Sequence, residues 1–460
     1  MTRIYVPIDS AALALGAQGV AEAIASEAEK RGIDVQLVRN GSRGLFYLEP
    51  LVEVETADGR IGYSNVEADD VAALFDAGFH EGKAHEKNVG VVDEIPYLKN
   101  QQRLTFARIG ITDPLSIDDY TALGGLEGLR QVLDMNGDAV CQALLDSGLR
   151  GRGGAAFPAG IKWKTVRGAY ADQKYIVCNA DEGDSGTFSD RLVMESDPYM
   201  LIEGMIIAGV AVGAMKGYIY VRSEYPHSIA TLNRAIDKAR DAGWLGASVL
   251  GTSHAFELYV AKGAGAYVCG EETALLESLE GKRGIVRAKP PVPALTGLYG
   301  KPTVINNVIT LATVPIIFAK GAAFYRDFGM GRSRGTLPFQ IAGNEARRAR
   351  RAGVRRHAAR TALYLRRRHR ERPSGARGAS GRAARHVSAG KPVGHSARLR
   401  GICEGRRGGR ARRTRGSRRH LEPRRTRAIR DALLRARIVR QVHAMPHRLD
   451  ARRGSHREDS

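Results

Sequence analysis

Apolar, β-rich segments alternate with helical segments between residues 116 and 344, and this alternation constrains the fold more than any other feature. The β-rich segments are KYIVCNA, GYIYVRSEY and FELYVAKGAGAYVCG, and the helical ones are Tyr199–Met215, His227–Ala242 and Glu272–Glu280. Strands that alternate with helices form parallel sheets covered by helices. We therefore predict an α/β fold with a doubly wound, Rossmann-like sheet. Its glycine-rich strand ends are expected to face a ligand.

Residues 1–110 carry a second, smaller α/β pattern. The runs IYVPI, VQLV, LVEVE and RIGYS alternate with helical stretches at Ala11–Arg31 and Val71–Ala77. Within this region, GSRGLFYLEPLVEVE resembles the loop and strand GCxGxCxxEPLVEV of thioredoxin-like [2Fe-2S] domains. Ser42 and Phe46 stand where that family has cysteines. Because a cluster needs thiolate ligands, the resemblance implies a thioredoxin-like domain without metal. An ordinary glycine-containing turn is the alternative.

The positive charge of the chain lies at its carboxy-terminal end. The net charge is +22 overall, but residues 345–460 contribute +29 and residues 1–344 contribute −7. An Arg-rich segment without hydrophobic periodicity predicts a disordered tail. A nucleic-acid-binding arm is the competing interpretation, and it is disfavoured because the tail lacks interleaved aromatic residues.

A shifted reading frame is the third interpretation of residues 345–460. Read one nucleotide later, residues 345–361 can encode KRGGLVEQAFGVTLREL, and residues 437–450 can encode ESCGKCMPCRIGST. In the second segment, Met445-Pro446 forces a cysteine codon. Two distant segments that become sensible in one frame indicate a frameshift near Asn344.

The cysteines and the apolar runs indicate in which cellular compartment the protein works. Cys141, Cys178, Cys269 and Cys403 have no paired spacing, which predicts neither a disulfide framework nor a metal site. Cys178 and Cys269 are interpreted as small buried hydrophobic residues rather than redox thiols. The start MTRIYVPIDS has no signal pattern, and the longest apolar run, Met205–Met215, is too short to span a membrane. We predict a soluble, cytoplasmic protein.

Four motifs carry the predicted chemistry. They are GLRGRGGAAFPAGIKWK at residues 148–164, CNADEGDSGTFSDR at 178–191, GAGAYVCGEETALLESLEG at 263–281 and RAKPPVPALTGLYGKPTVINNV at 287–308. Glycines and arginines in the first motif suit a phosphate, and the crowded acids of the second need hydroxyl, amide or cation partners. Acids in the first turn of a helix are also good partners for the helix dipole, so each glutamate of the third motif is ambiguous alone.

In this order, the four motifs resemble the family of NADH- and FMN-binding 51 kDa flavoproteins of respiratory complex I. With the linker IPYLKNQQRLTFARIG and the fused amino-terminal domain, the chain looks closest to the β (diaphorase) subunits of NAD-dependent formate dehydrogenases. A complex I subunit or an NAD-reducing hydrogenase subunit is the alternative. The resemblance implies an oxidoreductase that transfers hydride between NAD(H) and FMN, without a protein side chain as general base.

The resemblance also implies which residues bind the cofactors. For FMN they are Gly151, Arg152, Gly153, Gly154, Lys162, Asn179, Asp181, Glu182, Gly270, Glu271, Asn306 and Asn307. For NAD they are Phe157, Asp184, Glu272 and Lys289. Val292 replaces a phenylalanine that the family uses against adenine, whereas the acid at Asp184 favours a ribose hydroxyl and hence NAD over NADP.

The family passes electrons onward through a [4Fe-4S] cluster held by an SCGxCxPCR segment. That segment exists here only in the shifted frame, so we expect no metal ligands in this chain. The implied partners are a molybdenum-containing catalytic subunit and a small [2Fe-2S] subunit, with no nucleic acid and no membrane span. A truncated, non-catalytic product that keeps the fold is the remaining alternative.

Overall fold

The computed structural model describes residues 1–184 and 186–340 of the 460-residue chain. The predictions for residues 345–460, namely disorder, a frameshift and a lost cluster motif, lie outside the described residues. Within the described residues, no helix is both long and apolar enough to cross a membrane.

The amino-terminal region forms a mixed five-stranded sheet. Its strands are β1 (Thr2–Tyr5), β2 (Val35–Val38), β3 (Val52–Thr56), β4 (Gly59–Tyr63) and β5 (Asn88–Val91), in the spatial order β2-β1-β3-β4-β5. The β1–β2 pair is parallel and the remaining pairs are antiparallel. The α/β prediction for this region is confirmed, whereas its thioredoxin-like character stays a prediction.

Helices pack on this sheet around their own apolar core. They are α1 (Ser10–Ala14), α2 (Ala17–Arg31) and α3 (Val71–Asp76). The helical stretch predicted at Ala11–Arg31 is therefore broken, because Gly16 adopts a φ of 97° that begins a new helix. The core between sheet and helices includes Ile4, Val54, Ile24 and Phe79, all buried.

A helical segment connects the two sheets. It comprises α4 (Pro96–Lys99), α5 (Ile117–Ala122), α6 (Glu127–Leu133), α7 (Gly137–Asp146) and α8 (Ala159–Gly168). Capping side chains mark two of the helix starts: Ser116 accepts a hydrogen bond from the N–H of Asp119, and Asn136 accepts one from the N–H of Ala139. These short helices pack against the long apolar helices of the second domain.

The second sheet is parallel, as the alternation of segments predicts. Its strands are β6 (Tyr175–Ala180), β7 (Lys216–Val221), β8 (Glu257–Lys262) and β9 (Thr303–Asn307), in the spatial order β8-β7-β6-β9. The chain moves outward from β6 to β8 and then returns to the other side of β6. The winding direction therefore reverses between β6 and β9, which is where open α/β sheets bind ligands.

The remaining helices are α9 (Ser189–Ser196), α10 (Pro198–Val212), α11 (Pro226–Asp241), α12 (Glu272–Leu279), α13 (Val308–Lys320) and α14 (Ala322–Asp327), followed by the short hairpin β10 (Gly329–Met330) and β11 (Ser333–Arg334). Every residue of α10 is buried. A Cβ atom added at Gly204 would lie 2.1 Å from the Leu311 carbonyl oxygen, so α10 and α13 cross in close contact. The two helices form the centre of the largest core.

A buried carboxylate fixes the start of α6 against α10. The Glu203 side chain is 1% exposed and accepts hydrogen bonds from the Tyr120 hydroxyl and from the backbone N–H groups of Leu126 and Leu129. Leu126 has a positive φ of 67°, which is uncommon for leucine. The bond from its N–H to Glu203 helps to hold this conformation.

The seam between the two domains also buries carboxyl groups. The N–H and Oγ of Ser10 donate to the Glu195 carboxylate at 2.8 Å and 2.6 Å. Nearby, the Ser42 Oγ donates to Glu49 at 2.6 Å. Burial and then the charge of Asp9 raise the pKa of Glu49 to about 8. Burial and then Glu195 raise the pKa of Asp9 to about 6, although backbone N–H groups and Arg191 oppose the shift.

We expect the contribution of Asp9 and Glu49 to the stability of the chain to fall between about pH 4 and pH 8. The unfolded chain releases the protons of Asp9 and Glu49 near their ordinary pKa values, whereas the folded chain keeps them until about pH 6 and pH 8. Their contribution is therefore complete below the unfolded pKa and is lost as pH rises through the folded pKa. Thermal midpoints measured across this range test the expectation. Glu49→Gln should flatten the profile and Glu29→Gln, on the exposed face of α2, should not; equal profiles for both variants would contradict the assignment.

Candidate functional site

The carboxyl ends of β6 and β9 bring two predicted motifs together. The strand register places Asn179 opposite Asn307. The Asn179 amide donates to the Gly270 carbonyl oxygen at 2.9 Å, which ties the third motif to the same edge. The site predicted from four separate stretches of sequence therefore shares one end of one sheet.

The glycine-rich loop of the first motif lies beside this edge. It is closed by a 2.8 Å hydrogen bond from the Gly151 N–H to the Phe157 carbonyl oxygen. A Cβ added at Gly153 would lie 3.2 Å from the Asn307 Cβ, so the loop approaches the end of β9 closely. Gly153 and Gly154 are exposed. The loop therefore presents its backbone to the site without side chains in the way.

Arg152 is held within the glycine loop but keeps one buried donor free. Its N–H donates to Thr310 Oγ1 at 2.8 Å, and its Nη2 donates to the Tyr325 hydroxyl and to the Arg334 carbonyl oxygen. Its buried Nε has no hydrogen-bond partner among the described residues. Buried donors are costly to leave unpaired, so this atom is an unsatisfied donor at the base of the loop.

Asp181 follows β6 and is 4% exposed. Its carboxylate accepts no hydrogen bond from another residue in the described ranges; its Oδ2 would be 3.0 Å from a Cβ at Gly183 and 3.3 Å from one at Gly270. Burial raises its pKa to about 6, although the positive charge of Arg222 opposes this. A buried carboxyl without partners, facing glycine backbone, suits a ligand that brings hydrogen bonds.

Glu182 turns away from Asp181 and caps a helix. Its φ is +33°, and its carboxylate accepts from the N–H groups of Asp190 and Arg191 at 2.9 Å and 3.0 Å. The Tyr225 hydroxyl donates to the same carboxylate at 3.2 Å. These bonds satisfy the first turn of α9. The structure thus gives Glu182 a structural role at the site, in addition to the cofactor contact that the resemblance implies.

The asparagine pair of β9 is also engaged in structural bonds. The Trp163 Nε1 donates to Asn306 Oδ1 at 2.9 Å. Asn307 caps α13 by accepting from the Ile309 N–H at 2.9 Å, and its Nδ2 donates to the Asp190 carboxylate at 2.6 Å. Trp163 is fully buried, so it is a core residue rather than an exposed ring.

Two lysines and two glutamates form an ion-pair network where α12 begins. The Lys289 Nζ lies 2.9 Å from Glu271 and 2.8 Å from Glu272, and the Lys162 Nζ lies 3.5 Å from Glu272. Glu271 also caps α12 through the N–H groups of Thr273 and Ala274.

The network sets the charge state of its members. Burial lowers the pKa of Lys289, but hydrogen bonds to Glu272 and Glu271 outweigh it and raise the pKa above its ordinary value. Burial lowers the pKa of Lys162, against the pull of Glu272. Its Nζ also donates to the Ile305 carbonyl oxygen at 2.8 Å. Lys289 is therefore held as a cation beside two acids at the mouth of the site.

The two remaining predicted contacts differ in exposure. Phe157 is 51% exposed, and Asp184 is 8% exposed. The Asp184 carbonyl oxygen accepts hydrogen bonds from the N–H and hydroxyl of Thr187, which form a turn. An exposed phenylalanine at the mouth of a polar cleft offers a flat surface to a ring.

The cysteines beside the motifs are buried, as predicted. Cys178 is fully buried, and burial raises its pKa well above the ordinary value. Cys269 is 2% exposed, and its thiol lies 3.8 Å from the Ala274 carbonyl oxygen. The described residues contain no group of His, Cys, Asp and Glu side chains arranged to hold a metal ion.

Sequence reasoning missed two residues that organise the site. Asp190 links α9 to Asn307, and Arg222 donates from Nη1 to the Glu182 carbonyl oxygen at 2.8 Å. Arg222 directly follows β7, so the rule that strand ends carry the site could have identified it. Asp190 lies inside the second motif but in a helix, where the sequence gives no sign of its partner.

The groups at the strand ends can be compared with those that a flavin nucleotide needs. An exposed glycine loop that carries Arg152 and a buried Asp181 carboxyl without a hydrogen-bond partner among the described residues lie at the strand ends where the winding direction reverses. Backbone N–H groups and arginine suit the phosphate, and a carboxyl group suits polar atoms of a ring or sugar. The polar groups of the site therefore fit a flavin nucleotide.

Comparison with known proteins finds sequences similar to the second half of the described chain. Residues 144–316 match the family described as the Nuo51 FMN-binding domain. The NADP-reducing hydrogenase subunit HndC of Solidesulfovibrio fructosivorans is 51% identical over 245 residues, which are 53% of this chain and 50% of that protein. The NADH dehydrogenase [ubiquinone] flavoprotein 1 of Dictyostelium discoideum, a mitochondrial protein, is 43% identical over 249 residues, or 54% of this chain and 52% of that protein.

A crystal structure of an NAD⁺-reducing [NiFe]-hydrogenase shares 30% identity, with a TM-score of 0.46, and covers 73% of this chain and 55% of that one. The chain spans about half the length of the curated relatives it matches. The segment from residue 144 to residue 316 nevertheless includes the glycine loop, the acids after β6, the ion-pair network and the asparagine pair. This segment therefore matches the family described as the Nuo51 FMN-binding domain over all four parts of the site.

Proposed function

We propose that residues 116–344 bind FMN and NADH, and that the chain acts as the NADH-oxidising flavoprotein of a multisubunit oxidoreductase. One observation carries this proposal: the glycine loop, Asp181 and the Lys289 network meet at the carboxyl ends of the paired strands β6 and β9. The match to the FMN-binding family supports it. When bound, FMN would supply hydride exchange with the nicotinamide and single-electron exchange with iron–sulfur clusters.

The side chains of this chain would bind and orient the two nucleotides. The glycine loop and Arg152 would hold the FMN phosphate, while Asp181, Asn179 and Gly270 would face the rest of the flavin. Lys289, kept charged by Glu271 and Glu272, would face the nicotinamide nucleotide beside the exposed ring of Phe157. None of these groups needs to move a proton for hydride transfer, so positioning is their task.

A second proposal concerns the assembly to which the chain belongs. The relatives named above are a hydrogenase subunit and a flavoprotein of an NADH dehydrogenase, and they favour those assemblies over the formate dehydrogenase that the sequence predicts. One observation still favours formate dehydrogenase: the amino-terminal domain and the linker at residues 95–110 belong to the same chain. Purification of the assembly from its native source separates the candidates. Molybdenum in the complex would support formate dehydrogenase, and nickel would support a hydrogenase.

Titration of the purified 460-residue chain with FMN tests the proposal. We expect one FMN per chain, with quenching of flavin fluorescence, and NADH-dependent reduction of ferricyanide by the loaded protein. NADPH should be used at least about tenfold less efficiently, or about 1.4 kcal/mol, because Asp184 disfavours a phosphate. Use of NADPH as efficiently as NADH would overturn the specificity. A chain that keeps its helical circular dichroism but binds no FMN would overturn the function.

We expect less than one iron atom per purified chain. A [4Fe-4S] cluster needs about four cysteine ligands, and the SCGxCxPCR segment does not occur in the written sequence. Metal analysis of the purified protein gives the result directly. About four irons per chain would contradict the expectation, and sequencing the gene across the codons for residues 343–347 would then show which frame is translated.

A further inference from the structure

One face of α9 contacts the amino-terminal domain along the whole helix. At its start, the rings of Phe46 and Phe188 lie 4.8 Å apart. In the middle, a Cβ at Gly44 would lie 3.7 Å from Leu192. At its end, Ser10 donates two hydrogen bonds to Glu195. The helix therefore rests on three separate points of the other domain.

The same helix holds two residues of the candidate flavin site. Its first turn donates to the Glu182 carboxylate, and its Asp190 accepts from the Asn307 amide. Glu182 directly follows Asp181, and Asn307 ends β9 beside the glycine loop. A displacement of α9 would therefore move the loop after β6 and the end of β9 together.

The part of the amino-terminal domain that contacts α9 is the loop that resembles the cluster-binding loop of thioredoxin-like [2Fe-2S] domains. Ser42 and Phe46 stand where the thioredoxin-like family has cluster cysteines. Here Ser42 is buried and bonds to Glu49, and Phe46 packs on Phe188. A Cβ at the adjacent Gly41 would lie 2.3 Å from the side chain of Ser196, so the two domains fit closely at this loop.

We propose that the amino-terminal domain positions the flavin site through α9, with Phe46 as the principal positioning residue. The inference rests on the proposed binding of FMN and deepens it. Phe46 does not touch the site; it fixes Phe188, and through α9 it fixes Glu182 and Asn307. A domain without cluster ligands thereby keeps a role as a support for the cofactor loops.

The experiment compares FMN dissociation constants of the wild-type chain and of variants. Phe46→Ala should weaken FMN binding about 3- to 12-fold, within the range of a lost aromatic pair, and should change the visible circular dichroism of bound flavin. Phe46→Tyr, which keeps the ring, should restore both. Phe188→Ala should weaken binding similarly, and the double variant should be no weaker than either single variant, because the two rings act as one contact.

Phe75→Ala is the matched control. Phe75 is a buried phenylalanine in the core of the amino-terminal domain, where it packs on Phe79 away from α9. It should lower the thermal midpoint at least as much as Phe46→Ala but leave the FMN dissociation constant within about twofold of wild type.

Two results would overturn the inference. Phe46→Ala with wild-type affinity would show that α9 does not transmit the contact. Equal weakening by Phe46→Ala and Phe75→Ala would show a general loss of domain stability instead of positioning. Failure of the wild-type chain to bind FMN would instead reject the proposed function, so the two failures are distinguishable.

Discussion

The Glu203→Leu variant is expected to lose about 3–5 kcal/mol of unfolding free energy, the largest effect on stability that we predict. Leucine fills the space but leaves the Tyr120 hydroxyl and the N–H groups of Leu126 and Leu129 without an acceptor. Each buried donor left unpaired costs about 1–3 kcal/mol. Urea unfolding followed by circular dichroism measures the difference.

Glu127→Leu is the control for this variant. Glu127 is exposed on the adjacent helix α6 and makes no bond to α10, so the change should stay within about 0.5 kcal/mol. Glu203→Gln should lie between the two, because its amide oxygen still accepts but its NH₂ group faces donors. A loss of less than about 1 kcal/mol for Glu203→Leu would mean that the three donors find other acceptors.

The Lys289→Ala variant is expected to raise the KM for NADH about 10- to 100-fold, the largest effect on activity. The lysine is the cation between Glu271 and Glu272, and its removal leaves two negative charges where the anionic nicotinamide nucleotide is proposed to bind. A lost charged hydrogen bond costs about 1.5–3 kcal/mol, which corresponds to about one to two orders of magnitude in affinity. Steady-state kinetics with NADH and ferricyanide measure the change.

Lys301→Ala provides the comparison for Lys289→Ala. Lys301 also pairs with a carboxylate, at 2.6 Å from Asp172, but it lies at the amino-terminal edge of the sheet just before β9. Its removal should leave the KM for NADH within about twofold, since exposed ion pairs contribute little. Equal effects of the two variants would argue that surface charge as a whole, rather than the network at α12, attracts the nucleotide.

The strands and the edge that carries the site were predictable from the sequence, because buried parallel strands are apolar and strand ends are rich in glycine. Three features of the fold were not predictable from the sequence. The break at Gly16 depends on a backbone conformation, and β5 is a four-residue edge strand with little pattern. The segment predicted to be β-rich up to Gly270 leaves the sheet at Lys262 and turns into a short 3₁₀ helix at Tyr267–Gly270.

Within the site, the sequence indicated which side chains take part but not which atoms they hydrogen-bond to. Glu182, Glu271 and Asn307 cap helices in the structure, and the resemblance assigns all three to FMN. Acids and asparagines are the residue types that both tasks need, so the sequence alone cannot separate them. Asp190 was missed for a different reason, because its role depends on a partner 117 positions away.

The strand order has a consequence for the growing polypeptide on the ribosome. β6 lies between β7 and β9, yet more than 120 residues separate it from β9, so one edge of β6 stays unpaired until β9 has left the exit tunnel. An unpaired apolar edge invites aggregation during this interval. Once α13 ends at Lys320, the sheet and the helices that flank the site have all been synthesised. A change of reading frame near Asn344 would therefore leave all of these strands and helices encoded in the original frame.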